Sequence, residues 1–224
     1  MKILAVSDEV VDSIYSTRIR EKYADVDLVI GCGDLPFYYL EFIVSVLSVP
    51  VYYVPGNHDK PEQYLSNGRI ARYAEGCEQL DGVAARYSAP RVTDLPKGGV
   101  FLAGLGGSLR YNQGSHQYSQ EEMFARALAL SPALTANRLR YGRYLDILVT
   151  HAPPRGIHDC PDKTHTGFNA FLSCMSIFEP RFLLHGHTHL YRPDTIRTSR
   201  YRRTEVLNVY PYRLIEWEPE HDRP

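Results

Sequence analysis

Eight side chains carry the chemistry open to this sequence: Asp8, Asp34, Asn57, His58, Asp59, His151, His187 and His189. Carboxylate, amide and imidazole donors together suit borderline or hard divalent cations such as Mn, Fe, Zn, Co or Ni. No thiolate belongs to the set, which argues against a structural zinc site. There are enough donors for two ions if one carboxylate bridges them. Two ions about 3.5–4 Å apart can clamp the attacking and leaving oxygens of a phosphoryl displacement.

The elements that must hold these groups are short apolar runs. Ile3–Val6 ends at Ser7-Asp8, Leu28–Ile30 at Gly31-Cys32-Gly33-Asp34, and Val49–Val54 at Pro55-Gly56-Asn57-His58-Asp59. Leu145–Val149 ends at Thr150-His151, and Phe182–Leu184 runs into His185-Gly186-His187-Thr188-His189. Each reads as a buried strand with ligand-type residues at its carboxyl end. Gly33, Gly56 and Gly186 leave room for tight turns that aim the next side chain inward.

Helices are expected between the strands: over 16–23, after Pro36 with Phe37, Leu40, Val44 and Leu47 at helical spacing, and over 120–141 as a pair. In that pair Ser119 with Glu122 forms a capping box, Ser131-Pro132 reads as an N-cap and first helical position, and Gly142 is the stop. A further strand is expected at Val100–Leu105, and strands over 204–217 around Pro211. The alternation implies an α/β layered fold, with ligands gathered at strand carboxyl ends. Residues 60–99 have no clear period, and they are a candidate part of the substrate pocket.

Composition removes several alternatives. In 224 residues, 44% are hydrophobic and 23% charged, as in ordinary globular proteins and unlike disordered or collagen-like chains. With 25 Lys and Arg against 26 Asp and Glu, the formal net charge is −1, so bulk polyanion binding is not a property of the whole chain. The longest apolar runs are too short to span a bilayer. Cys32, Cys77, Cys160 and Cys174 are scattered, which argues against a disulfide framework. The expected location is the cytoplasm, with no membrane partner.

Gly33-Asp34, Gly56-Asn57-His58-Asp59, Thr150-His151 and Gly186-His187-Thr188-His189, in that order and at strand ends, resemble the motifs of calcineurin-like metallophosphoesterases. The resemblance runs from Asp8 to His189 and on to the terminal strands. It implies one domain over residues 1–224, a sandwich of two mixed β-sheets flanked by helices, with 218–224 a loose tail. It also implies that Asp34 bridges two divalent ions, manganese among the candidates. Asn57, His151 and His187 would complete one site, and Asp8 and His189 would belong to the other. His58 would contact the scissile phosphate and aid the leaving oxygen, Asp59 would orient His58, and a metal-bound hydroxide would attack. The implied activity is phosphoester hydrolysis, of diesters more than monoesters.

One departure matters. The family motif begins Asp-x-His, whereas this chain reads Asp8-Glu9-Val10. Val10 has no lone pair to offer. Water filling the position is the favoured outcome. Substitution by Glu9 or by a group of the His158, Asp159, Asp162 and His165 cluster is a second, and occupation of a single site a third.

Other residues have two readings. Arg110 and Asn112, after the expected strand, are candidate substrate binders or parts of a capped surface loop. Arg192, Arg197, Arg200, Arg202 and Arg203, with Tyr191 and Tyr201 interleaved, could steer a nucleotide or nucleic acid, or could form a solvated hairpin. His185 reads as structural, Cys32 as a small buried residue, and His116 and His221 as solvated. The competing functions are therefore an interaction scaffold on the same fold, invited by Val10, and a nuclease.

Overall fold

The computed structural model describes residues 1–64, 68–88, 92, 95–189 and 196–217. His221, Tyr191, Arg192 and the 218–224 tail lie outside the described residues.

Two large mixed sheets form the centre. One has the order Tyr212–Glu216, Lys2–Val6, Leu28–Gly31, Val51–Tyr53 and Glu78–Gln79, parallel throughout except for its first pair. The other has the order Thr198–Tyr201, Thr204–Asn208, Phe182–His185, Ile147–Thr150, Val100–Leu105 and Ala84–Tyr87. Its inner pairs are parallel and its two outermost pairs antiparallel.

The apolar runs show no polar alternation because both faces of each strand are covered. Successive side chains point to opposite faces, and the two sets enter different cores. Ile3, Ala5, Leu28 and Ile30 meet Leu102, Ile147, Val149 and Leu184 between the sheets. Leu4, Val6 and Val29 turn outward to pack against Ile14, Leu40 and Ile43, the last two from helix Phe37–Leu47. On the far side Ala103, Leu148, Leu183 and Val206 are covered by Met123, Leu134, Phe171 and Met175 from helices Gln120–Ala129, Ser131–Tyr141 and Asn169–Phe178. Truncating a fully buried ring such as Phe171 to alanine is expected to cost about 3–5 kcal/mol. This is the expected sandwich of two mixed sheets flanked by helices.

Local chemistry explains the element boundaries. The capping box of Gln120–Ala129 forms as expected: Glu122 N–H donates to Ser119 Oγ at 3.2 Å, and Ser119 N–H to Glu122 Oε2 at 2.7 Å. Ser131, expected as an N-cap, is instead the first helical residue, because Leu130 before it is already helical. Gly142 ends that helix at φ 84°. The helix expected over 16–23 is confined to Ile19–Lys22, and no side chain caps its start. The third strand starts at Val51, after Pro50, which has no N–H to give a ladder. No described helix is long and apolar enough to cross a membrane, and the four cysteines are free.

Parallel register sets the carboxyl ends side by side. Val6 pairs with Gly31, Gly31 with Tyr53, and Val149 with Leu184, so the loops that follow emerge at the same end of each sheet. Backbone bonds then lace the loops together: Asp8 N–H to Gly33 O at 3.0 Å, Gly186 N–H to His151 O at 3.1 Å, and Gly107 N–H to Pro55 O at 2.8 Å.

Candidate metal centre

Asp8, Asp34 and His187 each leave their strands through the left-handed region, at φ 65°, 54° and 62°. Such angles are costly for residues with a Cβ and persist where the surroundings hold them, commonly at functional sites. The glycine turns allow the close approach. A Cβ on Gly56 would fall on the Asp34 carboxylate, and one on Gly186 would fall on Ser7 Oγ and Asp8 Oδ2.

Asp34, His151 and His187 converge, with one ligand atom from each within 4.8 Å of the others. His151 Nδ1 lies 2.8 Å from the Cys32 carbonyl, which can only accept, so the proton sits on Nδ1 and Nε2 presents a lone pair. That Nε2 faces Asn57 Oδ1 at 3.0 Å and Asp34 Oδ2 at 3.3 Å. His187 Nε2 is likewise committed to the Thr164 carbonyl at 2.8 Å, leaving Nδ1 as its free donor. Carboxylate, amide and imidazole lone pairs that converge in a buried place repel one another unless a cation lies among them. The donor set therefore fits a divalent ion. Carbonyl partners that fix the tautomer of each imidazole are a usual support of histidine ligands.

Without an ion, a proton takes over part of that role. Burial opposes charge on His151, but Asp34 outweighs it and raises the pKa to about 9. Burial also opposes ionisation of Asp34, yet the His151 charge and the N–H of His58, 2.7 Å from Asp34 Oδ1, hold its carboxyl low. Burial, reinforced by the His151 charge, pushes His187 down to about 4, so it is neutral and free to ligate.

Asp8 and His189 make an adjoining pair. His189 Nε2 is 3.4 Å from Asp8 Oδ1, and the His187 N–H donates to both Asp8 oxygens at 3.2 and 3.0 Å. Neither residue joins a trio as tight as the first among the described residues. Val10 is half-buried against the Leu4, Val6 and Ile14 cluster. Its suggested substitutes are engaged elsewhere. Glu9 Oε2 accepts from Tyr210 Oη at 3.0 Å, His165 Nδ1 is 3.0 Å from both Asp162 oxygens, and His158 bonds His185 and Ser199, each at 2.9 Å. Asp159 accepts from Gly167 N–H at 3.1 Å.

The chain belongs to the calcineurin-like phosphoesterase family. The family model matches residues 1–191. Two solved structures are similar over nearly the whole chain. One crystal structure superposes with a TM-score of 0.60 at 14% identity, over 96% of this chain and 94% of its own. The crystal structure of TT1561 of Thermus thermophilus gives 0.58 at 14% identity, over 93% and 88%. At that identity they speak for the fold alone. No curated protein gives a significant match. As a calcineurin-like phosphoesterase, the chain is a metal-dependent phosphoric ester hydrolase.

The other expected residues of this phosphoesterase lie as follows. His58 is exposed on the turn after Asn57. Asp59 Oδ2 accepts from the N–H groups of Asp34 at 2.9 Å and Gly56 at 2.8 Å, so its carboxylate ties two motif turns together. Burial and the nearby Asp34 charge raise Asp59 to about 7. Arg110 is turned to Glu122 at 2.6 Å and the Gln117 carbonyl at 3.2 Å, because the capping-box carboxylate lies beside it. Asn112 Oδ1 accepts from Gly114 N–H and Gln117 Nε2 within the loop. The residue between them, Tyr111, is the one that reaches the centre: its hydroxyl accepts from Asn57 Nδ2 at 3.1 Å. Of the arginine run, Arg197 bonds the Tyr210 carbonyl, Arg200 the Arg202 carbonyl, and Arg203 pairs with Glu179.

Proposed function

We propose that this chain hydrolyses phosphodiesters at a centre formed by Asp34, Asn57, His151 and His187, with Asp8 and His189 as a weaker adjoining site. The observation that carries the proposal is that Asn57 Oδ1 and Asp34 Oδ2 lie within 3.3 Å of His151 Nε2, each residue fixed by a partner outside the group. Divalent ions held there would neutralise phosphate charge and acidify bound water. Asp34 offers Oδ2 toward His151, while its Oδ1 accepts from the His58 N–H. Asn57 faces His151 with Oδ1 at 3.0 Å while the Tyr111 hydroxyl accepts from its Nδ2.

His58 stands in solvent next to this group, its N–H fixed by Asp34, where its ring can meet an ester oxygen. Hydrolysis forms one P–O bond to water oxygen and breaks the ester P–O bond, and the departing oxygen takes a proton, which His58 supplies. Asp59 sets the turn that carries His58. The preference for a diester follows from charge. Arg110, next to Tyr111, is paired with Glu122, so its charge is not set aside for a dianion and a singly charged diester suits the site.

The test is turnover of bis-p-nitrophenyl phosphate and of p-nitrophenyl phosphate by chelated protein reloaded with excess Mn²⁺. Metal-dependent cleavage, faster for the diester and sharply reduced in His58→Ala, supports the reading. Cleavage of the monoester alone overturns the diester preference. No turnover of either substrate with any of several metals favours the scaffold alternative.

A further inference from the structure

Next to the centre lies a cavity of about 220 Å³ that the reaction described above does not use. Its inner wall is shared with the centre: Pro55 and Asp59 line it, and the Asp59 carboxylate is bonded to the backbone of Asp34. Phe37, Tyr53 and Tyr73 supply aromatic surface, with Phe37 and Tyr53 edge to face at 6.3 Å. His116, expected in solvent, is half-buried and lines the same space.

Hydrogen bonds beside the lining hold it in place. Hairpin Gln63–Tyr64 with Ile70–Ala71 is tied to the helix start by Phe37 N–H donating to Gln63 Oε1 at 3.1 Å. Across its base, Arg72 pairs with Glu62 at 2.9 Å. The Tyr53 hydroxyl is fixed by the Ala74 N–H at 3.1 Å. These contacts hold Glu62, Arg72 and Tyr73, from the segment that has no legible period, against the space that Asp59 also lines.

We propose that this cavity receives a planar aromatic ring carried by the ester, a nucleobase or a simple aryl group, while the phosphate sits at the centre. Pockets for drug-sized ligands measure roughly 300–1,000 Å³, and this smaller space has room for one ring system. Aromatic walls meet a planar ring through offset or edge contacts. The polar groups on the lining, Gln79, His116 and the Glu62–Arg72 pair, can bond a ring's edge. Asp59 lines the cavity and bonds the Asp34 backbone, so an ester reaching both spaces would pass this residue. The inference rests on the phosphoesterase reading and deepens it by naming the organic half of the substrate.

The test separates binding from turnover. Metal-loaded protein is titrated with p-nitrophenol, adenosine and cytidine, with cyclohexanol as a non-planar control, and followed by NMR shifts of Tyr73 and His116. We expect at least one planar probe to saturate and to move both residues, with cyclohexanol silent; aryl and nucleoside arms show which source fits. Tyr73 is 62% exposed, so Tyr73→Ala should fold, weaken that probe at least fivefold and raise KM for bis-p-nitrophenyl phosphate. Tyr73→Phe, which keeps the ring, should restore both. If bis-p-nitrophenyl phosphate is cleaved but no planar probe moves these residues, the cavity proposal falls and the phosphoesterase reading stands. Saturable probe binding without turnover of any ester would support the ring site and overturn the catalytic reading.

Discussion

His151 faces Asp34 across 3.3 Å with its other nitrogen already bonded to the Cys32 carbonyl. The two residues therefore share either a proton or a cation, and metal binding must displace the proton. His151 is raised to about 9, so below that pH the metal-free protein carries a proton that the loaded protein does not. Affinity for Mn²⁺ or Zn²⁺ should rise roughly tenfold per pH unit between pH 7 and 9 and then flatten. Calorimetry in buffers of different ionisation enthalpy should show about one proton released per ion at pH 7.5. A pH-independent affinity would mean that His151 is not a ligand.

Tyr111 acts on Asn57 from the other side. The Tyr111 hydroxyl accepts from Asn57 Nδ2 at 3.1 Å, which anchors the amide with its oxygen facing His151. Gln117 Oε1 holds the loop for this purpose by accepting from the N–H groups of Tyr111 and Asn112, both at 3.1 Å. Tyr111→Phe keeps the ring and loses the acceptor. Metal affinity should fall about 10-fold, the low end for a partner that orients a ligand. Arg110→Ala, in contrast, removes an exposed pair with Glu122 and one bond to the Gln117 carbonyl, neither at the centre, and should leave metal affinity within twofold.

These two residues also show where sequence reading ran out. The strand ends and their donors were legible because runs such as Ile3–Val6 and Ile147–Val149, apolar on both faces, admit little besides buried strands. Tyr111 was not, since its flanking Arg110 and Asn112 look like better phosphate binders and its contact lies 54 positions away. The usable signal was Gly106-Gly107 after a buried strand, which places the loop at the ligand end without choosing a residue. Residues 60–99 were opaque for another reason. Their first three strands, Gln63–Tyr64, Ile70–Ala71 and Glu78–Gln79, have two residues each, too few for any period to register. The spent lone pairs of His185 and His158 depend on tertiary contacts that no spacing encodes.

That histidine pair gives the acid limb of stability. His185 Nδ1–H donates to the Gly186 carbonyl at 2.9 Å, so its Nε2 must accept from His158 Nδ1–H, 2.9 Å away, and both rings are neutral. Burial pushes His185 down to about 3; burial with the nearby Arg213 charge pushes His158 down to about 4. Folded pKa values below the unfolded value of about 6.5 mean stability that is complete above pH 6.5 and lost as pH falls toward 4. For fully buried His185 the slope approaches roughly 1.4 kcal/mol per pH unit, and for half-exposed His158 it is smaller. Urea unfolding of metal-free protein from pH 7 to 4.5 should show this decline. His158→Gln should flatten it; an unchanged slope would place the acid sensitivity elsewhere.

Val10 offers the sharpest test of the adjoining site. Asp8 and His189 are aligned at 3.4 Å, yet the residue two positions after Asp8 packs against the apolar cluster that includes Leu4, Val6 and Ile14. Val10→His would exchange that apolar contact for an imidazole on the same turn, destabilising the metal-free protein by about 1 kcal/mol. In return it would supply one more neutral nitrogen beside Asp8 and His189, a donor type suited to Mn, Fe, Co or Zn. If Asp8 and His189 form a real but incomplete site, the wild type should retain about one ion after dialysis and Val10→His about two, as counted by elemental analysis. Adding Asp8→Asn should return the count to one. A wild type that already holds two ions would instead show that the Asp8 site is complete without a protein ligand at position 10. A Val10→His variant that still holds one would show that its imidazole cannot turn inward past the apolar cluster.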